Sequence, residues 1–172
     1  MTSVFDIAAE IRSQTASNGN DWWRLNKLVY YVQAWSLVWR SEPAFSEAIQ
    51  AWKDGPVVSP LYADLKHHDH VKLDRAAPVS SSLQSHVAHV IDAYKHLTTK
   101  QLIDLTHQEP PWKKTRGDLP PDANSDRVIP LDMIRRYYSW AWRTAERDRV
   151  EAGAKPVFVG SVADFQRLVP AT

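Results

Sequence analysis

The chain contains no cysteine. That removes thiolate nucleophiles, zinc–thiolate centres and disulfides together, and it fits an intracellular protein held by its core alone. Long apolar runs are missing as well: the longest is LVYYV, Leu28 to Val32, far short of the ~20 residues that cross a bilayer. The opening MTSVFDIAAEI carries Asp6 and Glu10 and has no apolar stretch of signal-peptide type, so the cytoplasm is the expected compartment and no membrane contact is expected. Charge of one sign is lacking too. Twenty-one Lys and Arg against twenty Asp and Glu leave a formal charge of +1, too little for a global field that steers polyanions. Glycine is scarce, five residues, whereas tryptophan is abundant at eight among 172. That length suits one domain with a core of its own, and the rings supply the core.

Apolar periodicity places the first helices. Val4, Ile7, Ala8 and Ile11 recur at helical spacing behind Thr2 and Ser3, which have cap chemistry. SNGN, Ser17 to Asn20, is a turn, and Asn20 or Asp21 can cap the next helix, which runs to about Arg40. In that second segment Trp22, Leu25, Leu28, Val29, Tyr31, Val32, Trp35 and Trp39 form a broad arc, and Trp23, Tyr30, Ala34 and Leu37 occupy the other side. A helix apolar nearly all round is the buried centre of a bundle. The predicted fold class is therefore all-α or mainly α: a compact single-domain helical bundle around a buried central helix, with at most a short β element. The domain is predicted over residues 1–153, and residues 154–172 form a C-terminal tail packed on it or extending it.

The stretch AWKDGPVVSPLYADLK, Ala51 to Lys66, reads as a corner. Gly55 precedes Pro56 and is free to take unusual φ, two valines follow in extended geometry, and Ser59 before Pro60 has the form of an N-cap with proline at N1. One glycine and two prolines do not make a phosphate cradle, which needs several converging N–H donors. Farther on, VKLDRAAPV suggests an extended crossing, and SSSLQSHVAHVIDAYKHL a further helix. A shorter helix capped by Thr98 or Thr99 must stop before Pro110 and Pro111. KKTRGDLPPDANSDRVIP is expected as a long loop. Pro130 at N1 then opens a last long helix ending near Gly153.

Three blocks, LNKLVYYVQAW, FSEAIQAWKDGPVVSPLYADLK and LIDLTHQEPPW, resemble in order and spacing the Panacea domain, the SocA-like, phage-associated antitoxin family. Their most specific element is Ala51-Trp52, a three-residue spacer ending in Gly55, then Pro56-Val57-Val58, Pro60 and Tyr62, followed by Thr106-His107 and Pro111-Trp112. Where the family commonly shows a run like KLxKLLYYAQ, this chain has RLNKLVYYVQ, Arg24 to Gln33, a conservative departure. The resemblance implies a helical antitoxin that neutralises a co-encoded protein toxin by direct contact. For one relative it implies an adaptor role, delivering the toxin to a bacterial protease. On this reading Trp52, Gly55, Pro56, Pro60, Tyr62 and His107 are framework residues.

Other chemistries find less support. His86 and His89, and the run His67, His68, Asp69, His70, lack HExxH spacing or cysteine partners, so no metal is expected. Thr106-His107-Gln108-Glu109 offers an acid and a base, but no recognisable nucleophile, oxyanion donor or cofactor loop accompanies them. Neither catalytic residues nor a cofactor are expected. A nucleic-acid-binding regulator would use Lys113, Lys114 and Arg116 with the last helix, against a balanced total charge. A homo-oligomer stays open.

The last helix is the expected working surface. Trp140, Met133, Tyr137, Ala141, Ile134, Ala145, Tyr138, Leu131 and Trp142 sweep roughly 200°, wider than the ~100° stripe that one-sided packing needs. Arg136, Arg143 and Arg147 edge Trp140, a composition favoured at interface hot spots. Trp112, after two prolines, reads as a plug over the core, and its PPW segment joins the expected contact. The expected partner-binding set is Trp112, Arg136, Tyr137, Trp140, Arg143 and Arg147.

Overall fold

The computed structural model describes residues 2–15, 21–66 and 71–152. The expected tail, 154–172, and the histidines His67, His68 and His70 lie outside the described residues. Within them the chain forms eight helices and one two-stranded sheet, the mainly α bundle that the periodicity implies.

Caps start the helices. Helix α1 (Val4–Gln14) opens with a reciprocal box: the Asp6 amide donates to Ser3 Oγ at 3.3 Å and the Ser3 amide to Asp6 Oδ2 at 2.8 Å. Helix α2 (Trp22–Trp39) is capped by Asp21, which accepts from the Arg24 amide at 2.9 Å. Every residue from Leu25 to Leu37 is buried, as its all-round apolar character requires. Gln33 and Ser36 bond to the backbone that follows the helix, whereas Asn26 Oδ1 is buried without a partner among the described residues. Gln33 bridges the backbone of Ala44 and Phe45, donating to Phe45 O at 3.0 Å and accepting from Ala44 N at 2.7 Å. Ser36 donates to Glu42 O at 2.8 Å. Burying such groups without these partners costs a few kcal/mol each.

Strands β1 (Gln50–Trp52) and β2 (Gly55–Val57) pair antiparallel with Trp52 opposite Gly55. Helix α3 (Ser59–Lys66) follows. Its first helical bond runs from the Tyr62 amide to Val58 O at 3.0 Å, so Ser59 stands inside the helix rather than at its cap, one position from the expectation. The VKLDRAAPV segment differs more. Instead of an extended crossing it begins as helix α4 (Val71–Asp74), because Asp64 accepts from the Lys72 and Leu73 amides at 3.2 Å each. A carboxylate delivered from α3 satisfies the orphan donors of a turn that local propensity does not specify.

Helix α5 (Ser81–Tyr94) is capped by Ser80, and α6 (Thr99–Gln108) by a Thr98–Gln101 box. From Lys113 to Arg116 the chain departs from the expected long loop. Pro110 and Pro111 do end α6, but they also begin helix α7 (Pro110–Arg116), occupying positions where no N–H is needed. The loop thus begins only at Gly117, which has φ +57°. Arg116 holds it. Its guanidinium donates to Ala51 O at 3.2 Å, Pro120 O at 2.7 Å and Ala123 O at 2.9 Å. The returning chain then bridges the sheet: Ala51 N donates to Arg127 O at 2.9 Å and Ile129 N to Ile49 O at 2.8 Å. Helix α8 (Leu131–Glu151) follows with Pro130 as its N-cap, not N1, and packs on α2 and α7.

Candidate partner-binding surface

Helix α8 sorts its wide arc into three exposures. Ile134, Tyr138 and Ala145 are buried, Met133, Tyr137, Ala141 and Trp142 are half-buried, and Trp140 remains 61% exposed. Tyr138 has its ring edge-on to Trp35, centroids 5.0 Å apart. Tyr137 lies 6.1 Å from Trp140, so the exposed indole is shored on one side. Arg136, Arg143 and Arg147 are all exposed beside it. Arg136 is tethered to Asp132 at 3.2 Å and Arg147 to Asp148 at 3.1 Å, while Arg143 has no ion pair among the described residues. Pairs this exposed are worth little in stability. They leave the arginines available to an incoming surface. The structure thus assembles Arg136, Tyr137, Trp140, Arg143 and Arg147 on one helix.

Trp112 belongs to a different neighbourhood. It stacks on His107, centroids 4.2 Å apart at 17°, donates Nε1–H to Trp52 O at 2.8 Å, and has the Arg116 guanidinium 5.2 Å from its ring centroid. His107 Nε2 is buried without a hydrogen-bond partner among the described residues. Burial holds His107 below its ordinary value, with the Lys27 charge adding to the effect.

The other framework residues converge on the hairpin. Gly55 has φ +101°, and a Cβ there would lie 2.7 Å from Lys27 Cε and 2.8 Å from Thr106 Oγ1. Both backbone conformation and space therefore demand glycine. Pro56 O accepts from Lys27 Nζ at 3.2 Å. Trp52 meets Tyr62 at 4.7 Å, and Tyr62 in turn reaches Trp22 at 5.1 Å and Trp23 at 5.9 Å. Pro60 is exposed at the start of α3.

The sequence reading placed neither Lys27 nor Glu109 in the core, and both are buried. Lys27 is fully buried, and desolvation brings its pKa down to about 7 despite Asp54 nearby. Glu109, between α6 and α7, accepts from Tyr138 at 2.7 Å, Tyr31 at 3.3 Å and Tyr30 at 3.5 Å. Burial pushes it up to about 8. The spacing THQE suggests a His107–Glu109 acid–base pair, but the folded chain separates their roles: the imidazole stacks on Trp112 while the carboxyl sits among tyrosines. His86 is likewise a core residue, its Nε2 2.9 Å from Val32 O. Among the described residues no group of three or more metal-ligating side chains occurs. Two surface clefts of about 330 and 370 Å³ are lined by neither His107 nor Glu109. No described helix is long and apolar enough to cross a membrane.

The sequence model of the family described as antitoxin SocA-like, Panacea domain, matches residues 25–113. The chain belongs to this family. No curated protein and no solved structure matches it. The Panacea match runs from Leu25 in α2 through the hairpin to Lys113 in α7, so the whole Gly55 corner lies inside it, whereas α1 and α8 lie outside.

Proposed function

We propose that this Panacea-domain protein is the antitoxin of a two-gene toxin–antitoxin pair and neutralises its co-encoded protein toxin by stoichiometric binding in the cytoplasm. The reading rests on membership of a family described as antitoxin. The exposed Trp140, on a helix outside the matched segment and flanked by Arg136, Arg143 and Arg147, supports it as the contact. A solvent-facing indole set among arginines is the composition of an interface anchor. Tyr137 shores the anchor, and Trp112 reaches the partner only where α7 adjoins α8. Binding needs no turnover chemistry, in keeping with a buried, tyrosine-bound Glu109.

Co-expression with the neighbouring gene product tests the proposal. Rescue of growth that saturates near a fixed molar ratio supports it, and failure of rescue removes it. Rescue at strongly substoichiometric antitoxin, with toxin levels falling only when a protease is present, would replace simple occlusion with the adaptor mechanism.

A further inference from the structure

Glu109 is buried at the junction where α6 ends and α7 begins. It holds the N-cap position of α7, yet its side chain makes no cap bond. The carboxyl turns into the core instead, where Tyr138 and Tyr30 donate to Oε2 at 2.7 and 3.5 Å and Tyr31 donates to Oε1 at 3.3 Å. The titratable groups that face it are all tyrosines: Tyr30 and Tyr31 from α2, Tyr94 from α5, and Tyr137 and Tyr138 from α8. No basic side chain pairs with it among the described residues.

A neutral carboxyl fits this setting, because a carboxylate sealed from water without a cation is costly and tyrosyl hydroxyls offset only part of that cost. Burial accordingly pushes Glu109 up to about 8. Once the proton leaves, the charge is relieved by water, which reaches the carboxyl only when one of the covering elements moves. Helix α2 cannot serve, with 13 of its 18 residues buried. Helix α8 can: only Ile134, Tyr138 and Ala145 of its 21 residues are buried, and its ion pairs at Asp132–Arg136, Arg147–Asp148 and Glu146–Arg149 run within the helix. Elements with few buried contacts are the ones that open locally. Tyr138 is thus both a buried anchor of α8 and a donor to the group whose charge would loosen it.

We propose that Glu109 is a positioning residue for the partner-binding helix: its neutral carboxyl latches α8 through Tyr138, and loss of the proton lets α8 lift from α2 and takes the Trp140 face out of place. The role of α8 rests on the proposed partner contact, whereas the latch itself does not. In the lifted helix Glu109 meets water and returns to its ordinary value of 4.5, so lifting releases one proton to solvent between pH 4.5 and about 8. The lifted fraction therefore rises by up to about tenfold per pH unit across that interval and levels off above it. Near neutrality the protein sits on the steep part, where a small rise in pH loosens the working face.

Hydrogen exchange of the full-length protein between about pH 6.5 and 7.5 tests the latch, read as protection factors so that the intrinsic pH dependence of amide exchange drops out. The window stays at or above the ordinary 6.5 of His86, and Lys27, whose folded form gives up its proton at about 7, acts with the opposite sign. The expected result is that α8 amides from Tyr137 to Ala145 exchange through an opening that leaves α2 protected, with protection falling by about five- to tenfold across the window. Glu109→Gln keeps an acceptor for Tyr138 and cannot ionise, so α8 protection should stay level. Tyr138→Phe keeps the ring and drops the donor, so protection should be lower at every pH by roughly two- to tenfold, the range of one hydrogen bond. Equal protection of α8 and α2, a level profile in the wild-type protein, an undiminished slope in Glu109→Gln, or unchanged α8 protection in Tyr138→Phe each overturns the latch. The wild-type profile decides even where a variant folds poorly. In co-expression, failure of the wild-type protein to rescue growth overturns the antitoxin reading alone, and the exchange profile still decides whether Glu109 holds α8.

Discussion

The Gly55 corner and the outer face of α8 use similar residues to opposite ends. At the corner, Lys27, Arg116, Trp112 and Thr106 spend their polar atoms on backbone carbonyls of the same chain. On α8, Trp140 and Arg143 spend theirs on nothing described, and Arg136 and Arg147 hold only exposed ion pairs with acids of their own helix. Tryptophan and cations therefore do not announce a binding site by type. What separates the two regions is whether hydrogen-bonding capacity is used up inside the fold. The corner is spent and the α8 face is not, so damage to the corner should appear as lost stability and damage to α8 as lost affinity.

The largest effect is expected from Gly55→Val. A β-branched residue at φ +101°, with its Cβ within 2.9 Å of three side-chain atoms, combines backbone strain of ~1–3 kcal/mol with overpacking of ~1–3 kcal/mol. Thermal and urea unfolding should show a loss of about 2–6 kcal/mol. An unchanged melting temperature with abolished partner binding would invert the comparison, making the corner the interface.

The next effect comes from pH. Glu109 is raised from 4.5 to about 8, so the folded state holds a proton that the unfolded state releases. Stability is full below about pH 4.5 and falls as pH rises toward 8. Lys27 is lowered from 10.5 to about 7, so the folded state has already lost a proton that the unfolded chain keeps. That cost is greatest below pH 7 and is relieved as pH rises from 7 toward 10.5. The two limbs place a stability minimum between about pH 7 and 8. The Lys27 limb should be on the order of a few kcal/mol, because a tenfold change in proton affinity on folding is worth ~1.4 kcal/mol. The Glu109 limb is offset below pH 6.5 by His86, which burial lowers from 6.5 to about 4. Glu109→Gln should flatten the acid limb and Lys27→Met the alkaline one in denaturant titrations at several pH values. A profile flat across both limbs in the wild-type protein would show that these groups are not sealed from water.

Trp140→Ala with Arg143→Ala should leave the melting curve within ~0.5 kcal/mol, as exposed positions do. Partner affinity should drop by roughly thirtyfold or more, the equivalent of ≥2 kcal/mol for central anchors. Full affinity in the folded double variant moves the contact off α8. The smallest effect is His107→Phe. It keeps a ring against Trp112 and replaces a buried nitrogen that has no partner among the described residues, so stability should shift by less than ~1 kcal/mol and in the favourable direction. A large loss would mean that the imidazole holds a bond essential to the corner.

Much of the architecture can be read without coordinates because it depends on near neighbours in sequence. Ser3 and Asp6, Thr98 and Gln101, and Asp21 and Arg24 interact across three residues, and their helices begin where those pairs stand. A turn at Gly55 can be read from its place before Pro56, but the need for glycine there rests on φ +101° and on Lys27 and Thr106 closing over it. Contacts over long separations could not be read this way. Asp64 nucleates α4 from outside the segment it caps, and Arg116 ties a proline-rich loop to Ala51, sixty-five residues away. The PPW segment lies between these cases: two prolines signal a break in either direction, and only the next turn's packing against β1 and α8 shows that a helix starts there.

The sequence by itself determined the helical periods, the caps of α1, α2 and α6, the buried central helix and the family blocks, because these depend on side-chain type at fixed spacing. Only the tertiary structure decided which polar groups are spent. Glu109 became a tyrosine-bound core acid because α2 and α8 bring Tyr30, Tyr31 and Tyr138 to it across separations of 79, 78 and 29 residues. Lys27 became a desolvated strut because β2 brings the Pro56 carbonyl to it. Trp112 was sealed against His107 and Trp52 while Trp140, equally apolar, was left in water. Burial is a property of the assembled surface, and no spacing along the chain encodes which of two tryptophans another element will cover.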